Sequence, residues 1–439
     1  MSRRTLHRIG LTLVLALGAA ISAHGQAAGT YTPYSIFGVG DLSQPGTAFN
    51  KTMGGIGIAL RDNAHINILN PAAVTARDSL AFMADFSLYS DNKLFQQSGI
   101  KSASNTFNIN DLVMSFPLWH NTAMMVGIQP YSDTGFGYSF NYSDTDIIGR
   151  AGNITYSASG SGSIYKGFAA FGATIARRLS LGVQWNFYFG DIEKTYYTTF
   201  SDASYNSIKN GSSALLTGHS FKFGLQYEQP LNSKLTLAVG ATYNTAAKLG
   251  GTIENSRFSA GTVVADTLYY KLDNLGKDAV VTLAGELAVG VALRNPGRWV
   301  AEFDYSRSDW TKSGLDNTHG FSAGASFSTS VAEAFRVGFQ LIPNRNDFHY
   351  LNTVAYRFGA YHKKEYYLLD GQKVWSTGIT LGLTLPVYLE RLGRNNGITL
   401  GVDFGQRGSL ANAMIRERYV NFSIGFNLFD IWFRKSQYN

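Results

Sequence analysis

Lys222, Arg336 and Arg357 are the residues whose types are best suited to hold a ligand. Each cation sits in a run of alternating apolar and polar residues, on the polar register. An ammonium or guanidinium there can receive the carboxylate of an amphipathic molecule. Glu286, Glu302, Asp304 and Asp403 fall on the same register, so all seven groups could instead form a structural ion network. The spacing selects neither among the three cations nor between the two roles.

Pro130 poses a different kind of question. It follows Met124-Met125-Val126-Gly127-Ile128-Gln129, a strand-like run, and is followed by Gly135 and Gly137. Proline cannot donate to a sheet ladder and is normally confined to edges and bulges. A closed barrel has no edge, so Pro130 marks either a simple bulge near a rim or a gap in the wall through which an apolar ligand could leave.

Enzymatic signals are weak. Ser159-Gly160-Ser161-Gly162-Ser163 is not the G-x-S-x-G of a nucleophile elbow, and Gly55-Ile56-Gly57 lacks the third glycine of a dinucleotide loop. The histidines beyond the leader are scattered, without metal spacing. Asp144 and Asp146 fall far short of a calcium oxygen shell. A Ser/His/Asp set distant in sequence remains the enzymatic alternative, because such triads are recognised by geometry. The expectation is therefore no enzyme, no metal and no cofactor.

The elements that must position these residues begin with a leader. Arg3, Arg4 and Arg8 precede an apolar run from Ile9 to Ile21 and a small-x-small site, Ala23-His24-Gly25, so a secretory signal peptide over 1–25 with cleavage before Gln26 is expected. The run is short for a spanning helix, which leaves a lone anchor as the alternative. There is no Cys in 439 residues, hence no disulfide, thiolate site or lipidation Cys. Charged residues are 15% and aromatics 14%. Soluble domains usually carry about a quarter charged residues, so the balance points to a membrane-embedded chain. The net charge of +7 falls to +4 once the three leader arginines are removed, too diffuse for a nucleic-acid partner.

The chain beyond residue 77 reads as strand after strand. Leu179, Leu181, Val183, Trp185, Phe187 and Phe189 alternate with polar or glycine positions, as do Ile398–Phe404 and Val420–Leu428. A soluble sandwich alternates too, but with shorter strands and an apolar inner face. Short connections are expected at His120-Asn121, Arg177-Arg178, Asn232-Ser233-Lys234 and Asn295-Pro296-Gly297, with somewhat longer ones near 343–351 and 386–396. Longer connections are expected near 90–109, 142–160, 200–212, 250–276, 310–332, 363–372 and 408–416. This asymmetry is that of outer-membrane barrels, short on the periplasmic side. Counting strands gives 14, with Phe321–Thr329 placed in an extracellular excursion. The fold class is thus all-β, a transmembrane 14-stranded antiparallel β-barrel over 78–429, with a periplasmic tail at 430–439. Trp119, Trp299 and Trp432 on one side and Trp310 and Trp375 on the other are read as two interfacial belts; Trp185 should face mid-bilayer lipid.

Residues 26–77 are Gly-rich and irregular: Met53-Gly54-Gly55-Ile56-Gly57-Ile58-Ala59, then Asn70-Pro71-Ala72. They are expected to form an N-terminal hatch that fills the lumen. Asn70 is read as tolerating turn geometry, Pro71 as fixing φ and Ala72 as small enough to pack. Wall glycines at Gly182, Gly190, Gly224, Gly290, Gly338, Gly359, Gly378, Gly382, Gly401 and Gly405 would leave it room.

With these residues assembled, the chain resembles the FadL/TodX family of outer-membrane long-chain fatty acid and hydrocarbon transporters. The Met53–Ala59 segment, the Asn70-Pro71-Ala72 box and the strand count carry the likeness. The Pro33–Leu42 opening and the Asp430–Lys435 ending resemble its Bacteroidetes-type branch. The resemblance implies passive uptake of hydrophobic small molecules through a hatch-gated, monomeric barrel in the cell outer membrane, with lateral exit at a kinked third strand. The partners implied are outer-membrane lipid and a hydrophobic ligand. The alternatives are an accessory, docking barrel of a protein secretion assembly with a secretion-system or periplasmic partner, and an open diffusion pore.

Overall fold

The computed structural model describes residues 29–77, 80–142, 152–202, 204–259, 266–271, 281–318, 320–321, 326–387, 396–411 and 414–431. The leader at 1–25, Asp144, Asp146, Trp432 and most of the proposed tail lie outside these residues. No described helix is long and apolar enough to cross a membrane.

Fourteen strands close into an antiparallel barrel. They are β1 (Ala81–Gln97), β2 (Ile100–Trp119), β3 (Thr122–Asn141), β4 (Ile154–Ile175), β5 (Leu179–Phe200) and β6 (Ile208–Pro230). Next come β7 (Thr236–Asn244, continuing as Ala247–Ser259) and β8 (Asp266–Lys271, Thr282–Leu283 and Glu286–Asn295). The circuit is completed by β9 (Trp299–Asp309), β10 (Phe327–Thr329 and Val331–Leu341), β11 (Ala355–Leu369), β12 (Gln372–Pro386), β13 (Gly397–Arg407) and β14 (Arg416–Ile431). β14 pairs with β1 from Ile431↔Ala81 to Arg416↔Gln96, which leaves no edge there. The alternation does what period-2 chemistry requires: Trp185, Phe221, Phe303 and Phe422 are 45–51% exposed on the outer face. Glu302, Asp304, Arg357 and Asp403 are buried inside.

Three sequence expectations need correcting. The connections placed near 90–109 and 363–372 are tight hairpins. Ser98 and Gly99 have φ of 46° and 85°, and Asp370 and Gly371 have 48° and 73°, so two left-handed residues reverse the chain and the ladder continues to its tip. The region near 250–276 likewise carries strand up to Ser259 and again over Asp266–Lys271. Phe327–Thr329, placed in an outer loop, pairs with β11 and extends β10, so the count of 14 survives without it as a separate strand. Trp310 is no belt residue. It is 2% exposed, its indole donates to Ser308 Oγ at 3.0 Å, and its ring lies 4.7 Å from Tyr366.

Residues 30–76 run inside the barrel. Phe49, Met53, Ile56, Ala59 and Leu60 pack with Ala238, Ala292 and Val300 of the wall. Towards the long-loop end, Tyr34, Val39, Trp310, Phe321, Tyr366 and Tyr367 belong to a second apolar cluster across the lumen. Wall glycines supply the space. A Cβ at Gly182 would overlap Pro71 and Ala72, at Gly224 Asn70 and Pro71, at Gly338 and Gly359 the Met53 and Gly54 backbone, and at Gly382 and Gly401 Thr52. Gly290 does the same for Ile58 and Ala59. At Gly378 and Gly405 the room is taken by the wall's own Tyr361 and Tyr419, and at Gly190 by the neighbouring strand.

Candidate functional site

The ladder between two neighbouring strands of the barrel is short. β3 pairs with β2 only from Trp119↔Thr122 to Leu112↔Ile128. Beyond Ile128, β2 stays with β1 up to the Ser98-Gly99 turn, and β3 stays with β4 up to Asn141. The two strands therefore part where Pro130 stands, and the β3–β4 register shifts between Pro130 and Ser132. A proline that cannot donate, followed by a bulge, bends β3 away from its neighbour.

The N-terminal segment takes the bare edge. Asp41 and Leu42 pair with Asp133 and Ser132 as a two-residue ladder. Thr32 N donates to Gly135 O at 2.7 Å, Ser43 N to Tyr131 O at 3.0 Å, and Gly135 N to Ser35 Oγ at 3.0 Å. Tyr31 Oη donates to Gly137 O. On the β2 side, Ser104 Oγ donates to Tyr31 O at 3.3 Å and Asn108 Nδ2 to Gly29 O. Residues 29–43 thus form a strap across the seam, bonded to both banks. Gly135 and Gly137, singled out with Pro130, are its contact points.

Asp41 fastens the strap. Arg407 reaches both of its carboxylate oxygens, at 2.6 and 2.8 Å, and Lys93 lies at 3.5 Å. Arg407 also holds Glu417 at 2.9 Å, which accepts from Thr32 Oγ1 at 2.6 Å. Burial alone would raise the Asp41 carboxyl, but Arg407 and Lys93 outweigh it and hold it well below the usual carboxylate range. Lys51, buried and pulled down to about 8 by that burial, donates to Asn110 of β2 and lies 4.6 Å over the Tyr89 ring. None of Asp41, Lys93, Arg407 or Glu417 was picked out by sequence. Asp41 lies in a segment without strand periodicity and Lys93 in an expected connection, so neither had a register to mark it.

The rest of the N-terminal segment is held by its backbone. Gly57 N and Ile58 N donate to Asp304 Oδ2 at 2.8 and 3.1 Å, Ala59 N to Glu302 Oε1 at 2.7 Å, and Gly54 N to Thr380 Oγ1 at 2.8 Å. Gly54 and Gly55 have φ of 71° and 80°, so only glycine makes this turn without strain. Asn70 does not supply a turn; its backbone is extended, with φ −129° and ψ 117°. It caps the 3₁₀ helix Pro71–Thr75 by accepting from Ala72 N at 3.0 Å, and its amide donates to Ile58 O at 2.7 Å and Leu225 O at 3.2 Å. Pro71 opens that helix, and Ala72 packs without exposure against the wall at Gly182.

The three cations separate. Arg357 is engaged by both wall and N-terminal segment: it donates to Gln340 of β10 at 2.7 Å, meets His65 Nε2 at 3.2 Å and lies 4.6 Å over the Phe49 ring. Lys222 and Arg336 line a chamber that also reaches Pro130, Tyr131 and the strap at Leu42–Pro45. Lys166 of β4, missed by sequence, joins them. Among the described residues none of these three makes an ion pair, although Arg336 donates to Ser306 Oγ at 2.9 Å. A second chamber across the strap, lined by Asp91, Lys93, Asn108, Asn110 and Asp403, opens onto Pro130 and the β2 bank. No group of three or more potential metal ligands occurs among the described residues.

Comparison with known proteins gives two kinds of likeness. A family model described as BamG matches residues 6–439. Among solved structures, the CymD monoaromatic hydrocarbon channel superposes with a TM-score of 0.54 at 15% identity, covering 88% of this chain and 97% of its own. The Pseudomonas putida toluene transporter TodX gives 0.56 at 13%, covering 89% and 100%. A Pseudomonas aeruginosa FadL homologue gives 0.55 at 10%, also covering 89% and 100%. Comparison with curated protein sequences gives no match. The fold is thus of the FadL/TodX kind, as the sequence led one to expect, whereas the family model that fits the chain is a different one.

Proposed function

From the premise that this chain belongs to the BamG family and shares the fold of hydrocarbon channels, we propose that it is an outer-membrane conduit for passive uptake of hydrophobic small molecules. Residues 26–77 are its hatch, and the seam between β2 and β3 is its lateral exit. The observation that carries this reading is the parting of β2 and β3 beyond Leu112↔Ile128, with the hydrogen-bonded strap lying between them among the described residues. An outer face of Phe, Leu and Val suits hydrocarbon, and a closed barrel satisfies its backbone there.

The reading needs no energy input. An apolar molecule partitions into the lumen, release of the strap opens the seam, and the molecule leaves sideways into lipid. Lys222 and Arg336, with Lys166, would receive an acidic head beside the strap, which favours a fatty-acid-like ligand over a bare hydrocarbon. Arg357 is already occupied by the plug and takes no part. The test is uptake of a labelled fatty acid by cells carrying the wild type, Pro130→Ala, or a deletion of residues 26–77. The proposal predicts altered uptake in both variants and fails if neither differs from wild type.

The family match favours a second reading, in which the barrel is a docking component of an outer-membrane protein secretion assembly and the plug is a fixed seat. Stable co-purification with such an assembly, together with unchanged fatty-acid uptake on deleting the barrel, would select it.

A further inference from the structure

Glu302 and Asp304 sit two positions apart on β9, both facing inward, and are 2% and 1% exposed. One oxygen of each is spent on the N-terminal segment. Glu302 Oε1 accepts from Ala59 N at 2.7 Å, and Asp304 Oδ2 from Gly57 N and Ile58 N at 2.8 and 3.1 Å. The other two oxygens, Glu302 Oε2 and Asp304 Oδ1, are buried and receive no donor from any described residue. The two carboxyl groups hydrogen-bond each other instead. Their neighbours on the wall offer little counter-charge. Glu302 is in register with Ala292 of β8 and Gly338 of β10, and Asp304 with Gly290 and Arg336. Arg336 is the charged group in register with the pair, and it donates to Ser306 Oγ at 2.9 Å. The N-terminal segment meets the pair through the backbone of Gly57, Ile58 and Ala59.

An ionised carboxylate only accepts, so two of them cannot hydrogen-bond each other. Two adjacent negative charges away from water would also repel strongly. One proton between Glu302 Oε2 and Asp304 Oδ1 removes both difficulties: each orphaned oxygen gains a partner, and a single negative charge remains beside Arg336. We infer that Glu302 and Asp304 share one proton, that this proton locks the plug in its seat, and that its loss as pH rises lets the plug go. With the proton in place, two oxygens touch while the other two hold the plug amides. Without it the carboxylates must part, which draws Ala59 away from Gly57 and Ile58 and breaks up a seat built for all three. The locked state binds one proton more than the released state, so locking is favoured at lower pH and fades as pH rises. The lock needs a plug that can move, as in the function proposed above, but it would hold whatever the barrel carries.

Infrared difference spectroscopy on the full-length barrel at neutral pH reads the proton directly, through the C=O band of a protonated carboxyl. Glu302→Gln and Asp304→Asn should each remove one whole band, because the partner left behind then ionises. Either amide keeps an acceptor for the plug and supplies its own N–H to the facing oxygen, so each variant is a permanently locked form. Heat-modifiable gel migration confirms folding, and if one variant fails to fold the other gives the same reading. Single-channel conductance in planar bilayers should rise in the wild type as alkali removes the band, and stay low in Glu302→Gln over the same range. Asp85 and Asp111 form a second such pair between β1 and β2, with orphaned Oδ1 and Oδ2, but bond no plug backbone among the described residues. Asp85→Asn should therefore open at the same pH as the wild type. The lock is overturned if neither folded variant loses a protonated-carboxyl band, which is also what a cation in place of the proton would give. It is overturned too if the wild type stays closed at every pH at which it remains folded, if Glu302→Gln opens with it, or if Asp85→Asn stays closed like Glu302→Gln. Fatty-acid uptake indifferent to Pro130→Ala and to deletion of residues 26–77, with band and conductance as expected, would sink the transport reading and uphold the lock.

Discussion

Asp41 and Arg407 meet through both carboxylate oxygens, at 2.6 and 2.8 Å, although 366 positions separate them in the chain. The pair ties the strap to β13, three strands from β2 around the wall, while Asp41 itself is in register with Asp133 of β3. Asp41 therefore joins β13 to β3 and is one of several contacts that hold the strap.

Replacing Asp41 with Ala leaves Arg407 and Lys93 buried with one carboxylate fewer. Breaking one side of a buried pair typically costs about 3–5 kcal/mol. The strap should detach while the barrel persists. Limited proteolysis should then cut within residues 29–43, and the heat-modifiable gel shift should be unchanged. A strap as protected as in the wild type would show that the backbone ladder alone holds it.

Wall glycines make a steric prediction. At Gly359 any Cβ overlaps the Met53 and Gly54 backbone, which cannot move without leaving the wall. Gly359→Val should unseat the plug and raise single-channel conductance in planar bilayers from near zero to a steady level. The hairpin at Gly371, where an added Cβ meets nothing, offers a comparison: Gly371→Ala strains one turn at φ 73° but should leave the conductance low.

The plug should also be acid-sensitive. His65 stacks on Phe49 at 4.3 Å and accepts from Arg357 through Nε2 while its other ring nitrogen meets Asp62. That arrangement suits the neutral ring. Burial pulls the histidine below its ordinary 6.5, against the pull of Asp62 and with help from Arg357 and Arg345. A group neutral when folded and protonated when free destabilises the fold as pH falls. Burial pushes Asp62 up, but hydrogen bonds from His65 and Ala64 N and the charge of Arg345 hold it below its ordinary 3.8, so it works in the same direction at lower pH. Thermal stability of the plug, read by a probe at residue 63, should therefore decline as pH drops below about 6.5. His65→Gln should flatten the part of the decline nearest neutrality, and an unchanged slope would remove His65 from the account.

The barrel was legible because its period is simple. Alternation exposed Trp185 and Phe187 and hid Glu302, Asp304 and Arg357, as their register requires. Turn chemistry was less well read: Asp370-Gly371 is a strong hairpin signal, but the long-loop pattern overrode it. Pro130 marked the place where β3 leaves β2, because a missing donor is visible in sequence. What the plug does with the gap was not visible. Asp41 finds Arg407, and Thr32 finds Gly135, only once a chain without periodicity is folded inside a closed wall, and no local rule sets those distances. Trp310 failed for the same reason, since a long loop folded inward and took it from the interface to the core.

The central claim is that the strap must leave the β3 edge for ligand to pass. Leu42 and Ser132 are direct register partners, and the chain has no native Cys, so Leu42→Cys/Ser132→Cys can place one disulfide across that contact. Labelled fatty-acid uptake should stop in the oxidised double variant and return on reduction, while each single variant behaves as wild type. Equal uptake in the oxidised and reduced forms would contradict the account.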